Sequence, residues 1–172
     1  NVDWIISYGD KGWNIYKNLH AAPRVFIAND YRVFESDIEF ERLFFDPALN
    51  PAQTILLEED PAIPKTPAAS GMATILLYEP DAISIRAETN IQSLLFLSDT
   101  YYPGWEAYVD NVRTKIYRAD FAFRAVTIPK GEHTVTFIYR PASLLYGTLL
   151  TVISFLGTIG ILFYAKRYGK DN

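Results

Sequence analysis

Hydrophobic and polar positions divide the chain into two unequal parts. From Leu144 to Ala165 the sequence LLYGTLLTVISFLGTIGILFYA runs for 22 residues without a charge. Before it, apolar residues come in short runs, many alternating with polar ones, and turn residues separate the runs. The long run predicts a transmembrane helix and the short ones predict strands.

Strand candidates begin with Val2–Ser7, ended by Tyr8-Gly9-Asp10-Lys11-Gly12, and continue with Trp13–Lys17 and Arg24–Ala28. Ser36-Asp37-Ile38-Glu39 has the form of a capping box, with Ser36 as cap and Glu39 reaching back, so a short helix is expected to about Phe45, ending before Pro47 and Pro51. Thr54–Leu57 is a further strand. Residues 58–71 carry Pro61, Pro64 and Pro67 without apolar periodicity, which predicts a loop and a possible subdomain seam. Met72–Tyr78, Ala82–Thr89 and Gln92–Ser98 follow with hairpin-length links. Leu94-Leu95-Phe96-Leu97 is apolar on both faces and is expected to be a central strand covered on both sides. Trp105–Val109 and Val112–Tyr117 flank Asp110-Asn111, a pair suited to a type I′ turn. Phe123–Ile128 and His133–Tyr139 flank a Pro129-Lys130-Gly131-Glu132 turn. The expected fold is mainly β: an extracytoplasmic β-sandwich or jelly-roll-like domain over 1–143 with one short helix, then a single C-terminal transmembrane helix.

At about 1.5 Å per residue the apolar run spans roughly 33 Å, close to the roughly 30 Å of a hydrocarbon core. Pro141 and Ser143 precede it, Ser143 being a candidate N-cap, and Tyr146, Tyr164 and Tyr168 stand where interfacial aromatics anchor a span. Lys166, Arg167 and Lys170 lie in the tail, 166–172, which places the tail in the cytoplasm and residues 1–143 outside. Gly147, Thr151, Ser154 and Thr158 recur at spacings of four, three and four on one face. Small residues there admit a second helix closely, so this seam predicts a packing partner in the membrane.

Composition narrows the function. Hydrophobic residues make up 49% and charged residues 21%, the balance of a folded protein, and the length suits one domain. The net charge of −4 argues against a nucleic-acid partner. The chain has no cysteine, so disulfides and thiolate metal sites are excluded. It opens at Asn1 without Met or a basic-then-apolar leader, and reads as a fragment or processed product with any export signal upstream.

Candidate chemistry is sparse. Tyr101, Tyr102, Trp105 and Tyr108 cluster beside Asp99, Glu106 and Asp110, a composition that can contact carbohydrate; alternation puts Trp105, Ala107 and Val109 on one face, which favours a core role for Trp105. Arg118 and Arg124, around Asp120, Phe121 and Phe123, can contact an anion, though structural ion pairs are the favoured reading. Glu58-Glu59-Asp60 are adjacent acids in a proline-rich loop and lack the roughly 5–9 Å separation of a glycosidase pair. His20 and His133 show no metal-ligand spacing, and no phosphate-binding glycine loop or nucleophile elbow occurs. No catalytic residue, metal or cofactor is therefore assigned.

The stretch Ser98-Asp99-Thr100-Tyr101-Tyr102-Pro103-Gly104-Trp105-Glu106-Ala107-Tyr108-Val109-Asp110 continues through Ile116-Tyr117-Arg118-Ala119-Asp120-Phe121-Ala122-Phe123-Arg124-Ala125-Val126 to Ile128-Pro129-Lys130-Gly131-Glu132-His133-Thr134-Val135 and Tyr139-Arg140-Pro141-Ala142-Ser143. It resembles the C-terminal end of the bacterial YfhO-like membrane proteins, over about Ser98 to Ala165 and more weakly upstream, with Asn111 in place of the usual Gly. The resemblance implies a multi-pass protein of the bacterial cell membrane, similar to glycosyltransferases that use lipid-phosphate sugars and decorate cell-envelope glycopolymers. Their catalytic acids sit on an early loop outside this chain. The implied partners are the lipid bilayer, a missing N-terminal transmembrane bundle and an envelope glycopolymer. The competing readings are a membrane-anchored carbohydrate-binding module and a purely structural β-sandwich.

Overall fold

The computed structural model describes residues 4–9, 12–18, 21–28, 30–65 and 70–168. A hairpin comes first, β1 (Trp4–Gly9) and β2 (Gly12–Lys17). Then follow β3 (Val25–Ala28), β4 (Asp30–Val33), α1 (Asp37–Phe44) and β5 (Thr54–Leu57). The remaining strands are β6 (Gly71–Tyr78), β7 (Ala82–Thr89), β8 (Ser93–Leu97), β9 (Trp105–Val109), β10 (Val112–Thr114), β11 (Tyr117–Ala119), β12 (Phe123–Ile128) and β13 (Gly131–Tyr139). The last element is the long helix α2 (Ala142–Tyr168).

Two sheets form the sandwich. One has five antiparallel strands in the order β10-β9-β13-β7-β6, and the other has six in the order β3-β8-β12-β11-β5-β4, with β4 and β5 parallel. Period-two alternation sends Ile83, Ile85 and Ala87 of β7 and Val135 and Phe137 of β13 inward to meet Leu95, Leu97, Val126 and Ile128. Edge strands β3 and β6 come together where Gly71 lies against Ile27. A Cβ on Gly71 would sit 2.4 Å from the Glu88 carbonyl, so no larger side chain fits.

The apolar run Leu94–Leu97 is buried on both faces, as its lack of alternation predicts. Leu95 and Leu97 join the intersheet core, while Leu94 and Phe96 join a second cluster with Phe26, Tyr31, Ile55, Leu57 and Ile63 on the other side of the six-stranded sheet. Tyr31 donates from its hydroxyl to Ile63 O and to Asp60, tying the loop after β5 to that face. Helix α1 adds a third small cluster through Leu43, against Phe34 and Leu56.

The turn at Asp110-Asn111 acts as read, and three other details differ from expectation. Asp110 and Asn111 both take positive φ, 49° and 66°, the I′ geometry. Ser36 caps α1, its hydroxyl accepting from Glu39 N, but the Glu39 carboxylate accepts from Glu35 N, one residue before the cap. Residues 112–117, expected as one strand, form two: the chain leaves the five-stranded sheet after Thr114 and enters the six-stranded one at Tyr117, with Ile116 turned into the core between them. Asp30–Val33 was not expected to be a strand, and it pairs in parallel with β5.

Only Arg140 and Pro141 separate β13 from α2. The helix starts at Ala142, so Ser143 lies inside its first turn and is not its cap. At about 1.5 Å per residue its 27 residues extend roughly 40 Å. Its apolar stretch is unburied, and it is long and apolar enough to cross a membrane.

Candidate functional site

Strand direction gathers one end of the sandwich around the start of α2. Because β13 ends there, its antiparallel partners β7 and β9 begin there, at Ala82 and Trp105. In the other sheet β8 ends and β12 begins at the same end, for Arg124, paired with Asp99, meets Trp105 across the sandwich. An open cleft of about 310 Å³ lies on this rim, lined by Tyr78, Glu79, Pro80, Asp99, Thr100, Tyr102, Trp105, Arg124 and Tyr139.

Pro103-Gly104 links the cleft residues Tyr102 and Trp105. Gly104 has φ +104°, donates no side chain, and its carbonyl accepts from Arg140 N at 2.7 Å. A Cβ here would stand 2.9 Å from the Tyr139 ring and 3.1 Å from Pro141 Cα. The turn is thus packed directly against the junction with α2. Tyr102 and Trp105 flank Tyr139 at centroid distances of 6.4 and 5.3 Å.

Among the described residues Arg124 is the one large charged side chain fully inside, 1% exposed. Its Nη2 donates to Asp99 Oδ2 at 2.5 Å, and its guanidinium lies 4.1 Å from the centre of the Trp105 ring and 5.2 Å from that of Phe137. Burial pulls its pKa down, and Asp99 opposes that pull. An isolated buried cation would be expensive; the carboxylate and the two aromatic faces offset the cost. Nη1 is nevertheless buried with no hydrogen-bond partner, as is Ser98 Oγ.

The structure brings three of the candidate residues together, Tyr102, Trp105 and Arg124, and sets the others apart. One face of Trp105 is taken by Arg124, whereas Tyr102 remains exposed at the cleft mouth. Tyr101 is anchored through its backbone to Ala122 O. Tyr108 lies further along β9 and donates to Glu106 Oε2 at 2.8 Å. Arg118 belongs to β11, where it pairs with Glu58 Oε1 at 2.9 Å, donates to Phe121 O and covers the Phe121 ring. The two arginines therefore make separate ion pairs and form no joint anion clamp.

Other polar groups hold loops. Glu58 binds Arg118, Glu59 binds Lys115, and Asp60 accepts from Tyr31, so the acidic loop clasps the segment where the chain changes sheets. His133 meets Asp110 at 2.6 Å across the hairpin tip; the contact raises the His133 pKa and lowers that of Asp110. Asp120 is the most perturbed carboxyl among the described residues. Burial pushes it up to about 6, against a lowering contribution from the Leu56 N–H that its Oδ1 accepts at 2.8 Å. The sequence suggests ion pairing among Arg118, Asp120 and Arg124; instead the arginines pair with Glu58 and Asp99, and Asp120 accepts from a backbone N–H 64 residues away. No cluster able to hold a metal occurs among the described residues, and His20 lies outside them. On α2, Gly147, Thr151, Ser154 and Thr158 share a face; Thr151 and Thr158 donate to Gly147 O and Ser154 O, satisfying their hydroxyls within the helix.

No curated protein and no solved structure matches the chain. A family model does, over the five-stranded sheet's β6 to β13, the strands between them and the first turns of α2. With the exposed apolar helix that follows β13, the match supports a membrane protein: residues 73–151 fit the family described as "Bacterial membrane protein YfhO", and this stretch is similar to the C-terminal region of that family.

Proposed function

We propose that the chain is the non-catalytic C-terminal ectodomain and last membrane helix of a multi-pass, glycosyltransferase-like protein acting on cell-envelope glycopolymers. The observation that carries the reading is the two-residue junction between β13 and α2, packed on Gly104. It holds the aromatic, carboxylate-lined cleft within a few residues of the bilayer, where an acceptor polymer near the membrane would pass. Tyr102 offers a ring face, and Glu79 and Asp99 offer acceptors for hydroxyl groups. Lys166 and Arg167 close the helix and favour a cytoplasmic tail, which puts the sandwich outside.

Two experiments test this. The chain has no cysteine, so Lys130→Cys in the β12–β13 turn and Lys170→Cys in the tail can be labelled separately in intact cells with a membrane-impermeant maleimide. Labelling at 130 and protection at 170 is expected; the reverse pattern overturns the orientation. In the parent protein, Tyr102→Ala should lower the sugar content of envelope glycopolymer at unchanged protein amount. An unaltered glycopolymer would leave the cleft as structure only. The carbohydrate-binding module remains the second reading, supported by the same exposed ring, and glycan binding by the chain without its parent would favour it.

A further inference from the structure

The N-terminal hairpin presents an apolar face that nothing in the described chain covers. Register places Trp4, Ile6 and Tyr8 of β1 beside Lys17, Ile15 and Trp13 of β2, all on one face. Trp13 is 73% exposed, Trp4 57% and Ile15 66%. Tyr8 and Trp13 pack edge to face at 5.1 Å, touching each other while both stay exposed. The opposite face pairs Ile5 with Tyr16, both exposed, and then Ser7 with Asn14 towards the turn, so it is the more polar of the two and has no tryptophan. A two-stranded hairpin is marginal in water, and one showing two tryptophans to water is doubly unfavourable.

We infer that this face lies on the interfacial zone of the lipid bilayer, as a second membrane contact beside α2. Topology brings it there. Strand β3 begins at Val25, which pairs with Leu97 at the rim from which α2 departs. The hairpin therefore joins the sandwich at the membrane-proximal end, and Arg24 on that approach stacks over Tyr78 of the rim cleft. The same rim carries exposed Tyr101, Tyr102 and Phe121. Tryptophan and tyrosine are the residues that gain most at the headgroup level, where the ring is sheltered and the N–H or O–H stays wet. Lys17, at the edge of the face, can meet lipid phosphates.

The inference rests on α2 spanning the membrane, and the experiment separates the two. The full chain is placed in nanodiscs of phosphatidylglycerol and phosphatidylcholine, and co-migration with the discs reports the span alone. Ile15→Cys and Ser7→Cys, on opposite faces and both exposed, each take an environment-sensitive fluorophore. At position 15, lipids with a doxyl label near the headgroup should quench emission roughly twofold or more, and iodide should quench little, as for an interfacial group. At position 7, iodide should quench freely. Free access of iodide at 15 overturns the inference. So does protection at 15 without lipid quenching, which would mean a protein partner or a second copy, and so does equal lipid quenching at both positions.

Discussion

Replacing Asp120 by Asn should stabilise the protein at neutral pH and leave it unchanged in acid. The carboxyl sits in the β11–β12 turn at φ 45°, accepts from Leu56 N at 2.8 Å, and has a pKa raised from 3.8 to about 6, with burial as the leading cause. A carboxyl raised in the folded state binds its proton more tightly there than in the unfolded chain. It costs nothing below the unfolded pKa, and its penalty grows as pH rises from about 4 to about 6, being complete above that. The shift corresponds to about 3 kcal/mol at most, from about 1.4 kcal/mol per unit, and to about half that where water reaches the loop. Asparagine keeps the Oδ1 acceptor for Leu56, tolerates positive φ, and never carries the charge. Urea unfolding of both proteins in a nonionic detergent, read by near-ultraviolet circular dichroism, should give a difference near zero at pH 4 and about 1–3 kcal/mol in favour of Asn at pH 7.5. Other titrating groups cancel in that difference. A difference independent of pH, or a variant less stable at pH 7.5, would refute the account and show that the charge has an unseen partner.

Three further outcomes follow from the same geometry. Trp105→Ala removes the ring that carries Arg124 and packs on Tyr139, and should cost about 3 kcal/mol in the same assay; a cost under about 1 kcal/mol would mean the ring is free for sugar contact. The His133–Asp110 contact stabilises the hairpin tip below the ordinary imidazole pKa of about 6.5 and fades as pH rises through the raised value, and from the acid side it fades as pH falls through the depressed Asp110 value. In an NMR titration Asp110→Asn should therefore lower the His133 pKa, and no change would remove the pairing. Ser154→Leu with Thr158→Leu should reduce the amount of parent protein in the membrane by blocking close helix approach, whereas unchanged abundance and activity would remove the seam.

What could be seen in the sequence was local. The Leu94–Leu97 run, the Asp110-Asn111 turn and the span after Pro141 each declare themselves within a few residues, because burial on two faces, positive φ and lipid each demand a residue type at short range. The change of sheet at Lys115-Ile116 has no such mark. Ile116 packs on the core there, and Glu58 and Glu59, adjacent acids in a proline-rich loop, reach Arg118 and Lys115 from 60 and 56 residues away. Arg124 is the harder case. An ion pair in the strand Phe123–Ile128 is the reading the sequence favours, but its partner and its burial have no local mark, and only the strand pairing of β8 with β12 brings Asp99 close enough to permit burial. Once buried, the arginine cannot offer its charge to a ligand without leaving Asp99 and Trp105 uncompensated, which turns the aromatic motif around Tyr102 and Trp105 inward and leaves Tyr102 as the ring open to the cleft. The motif's spacing therefore serves first to seat the last strand on the membrane helix, and any recognition at this rim must work through the residues left outside that seat.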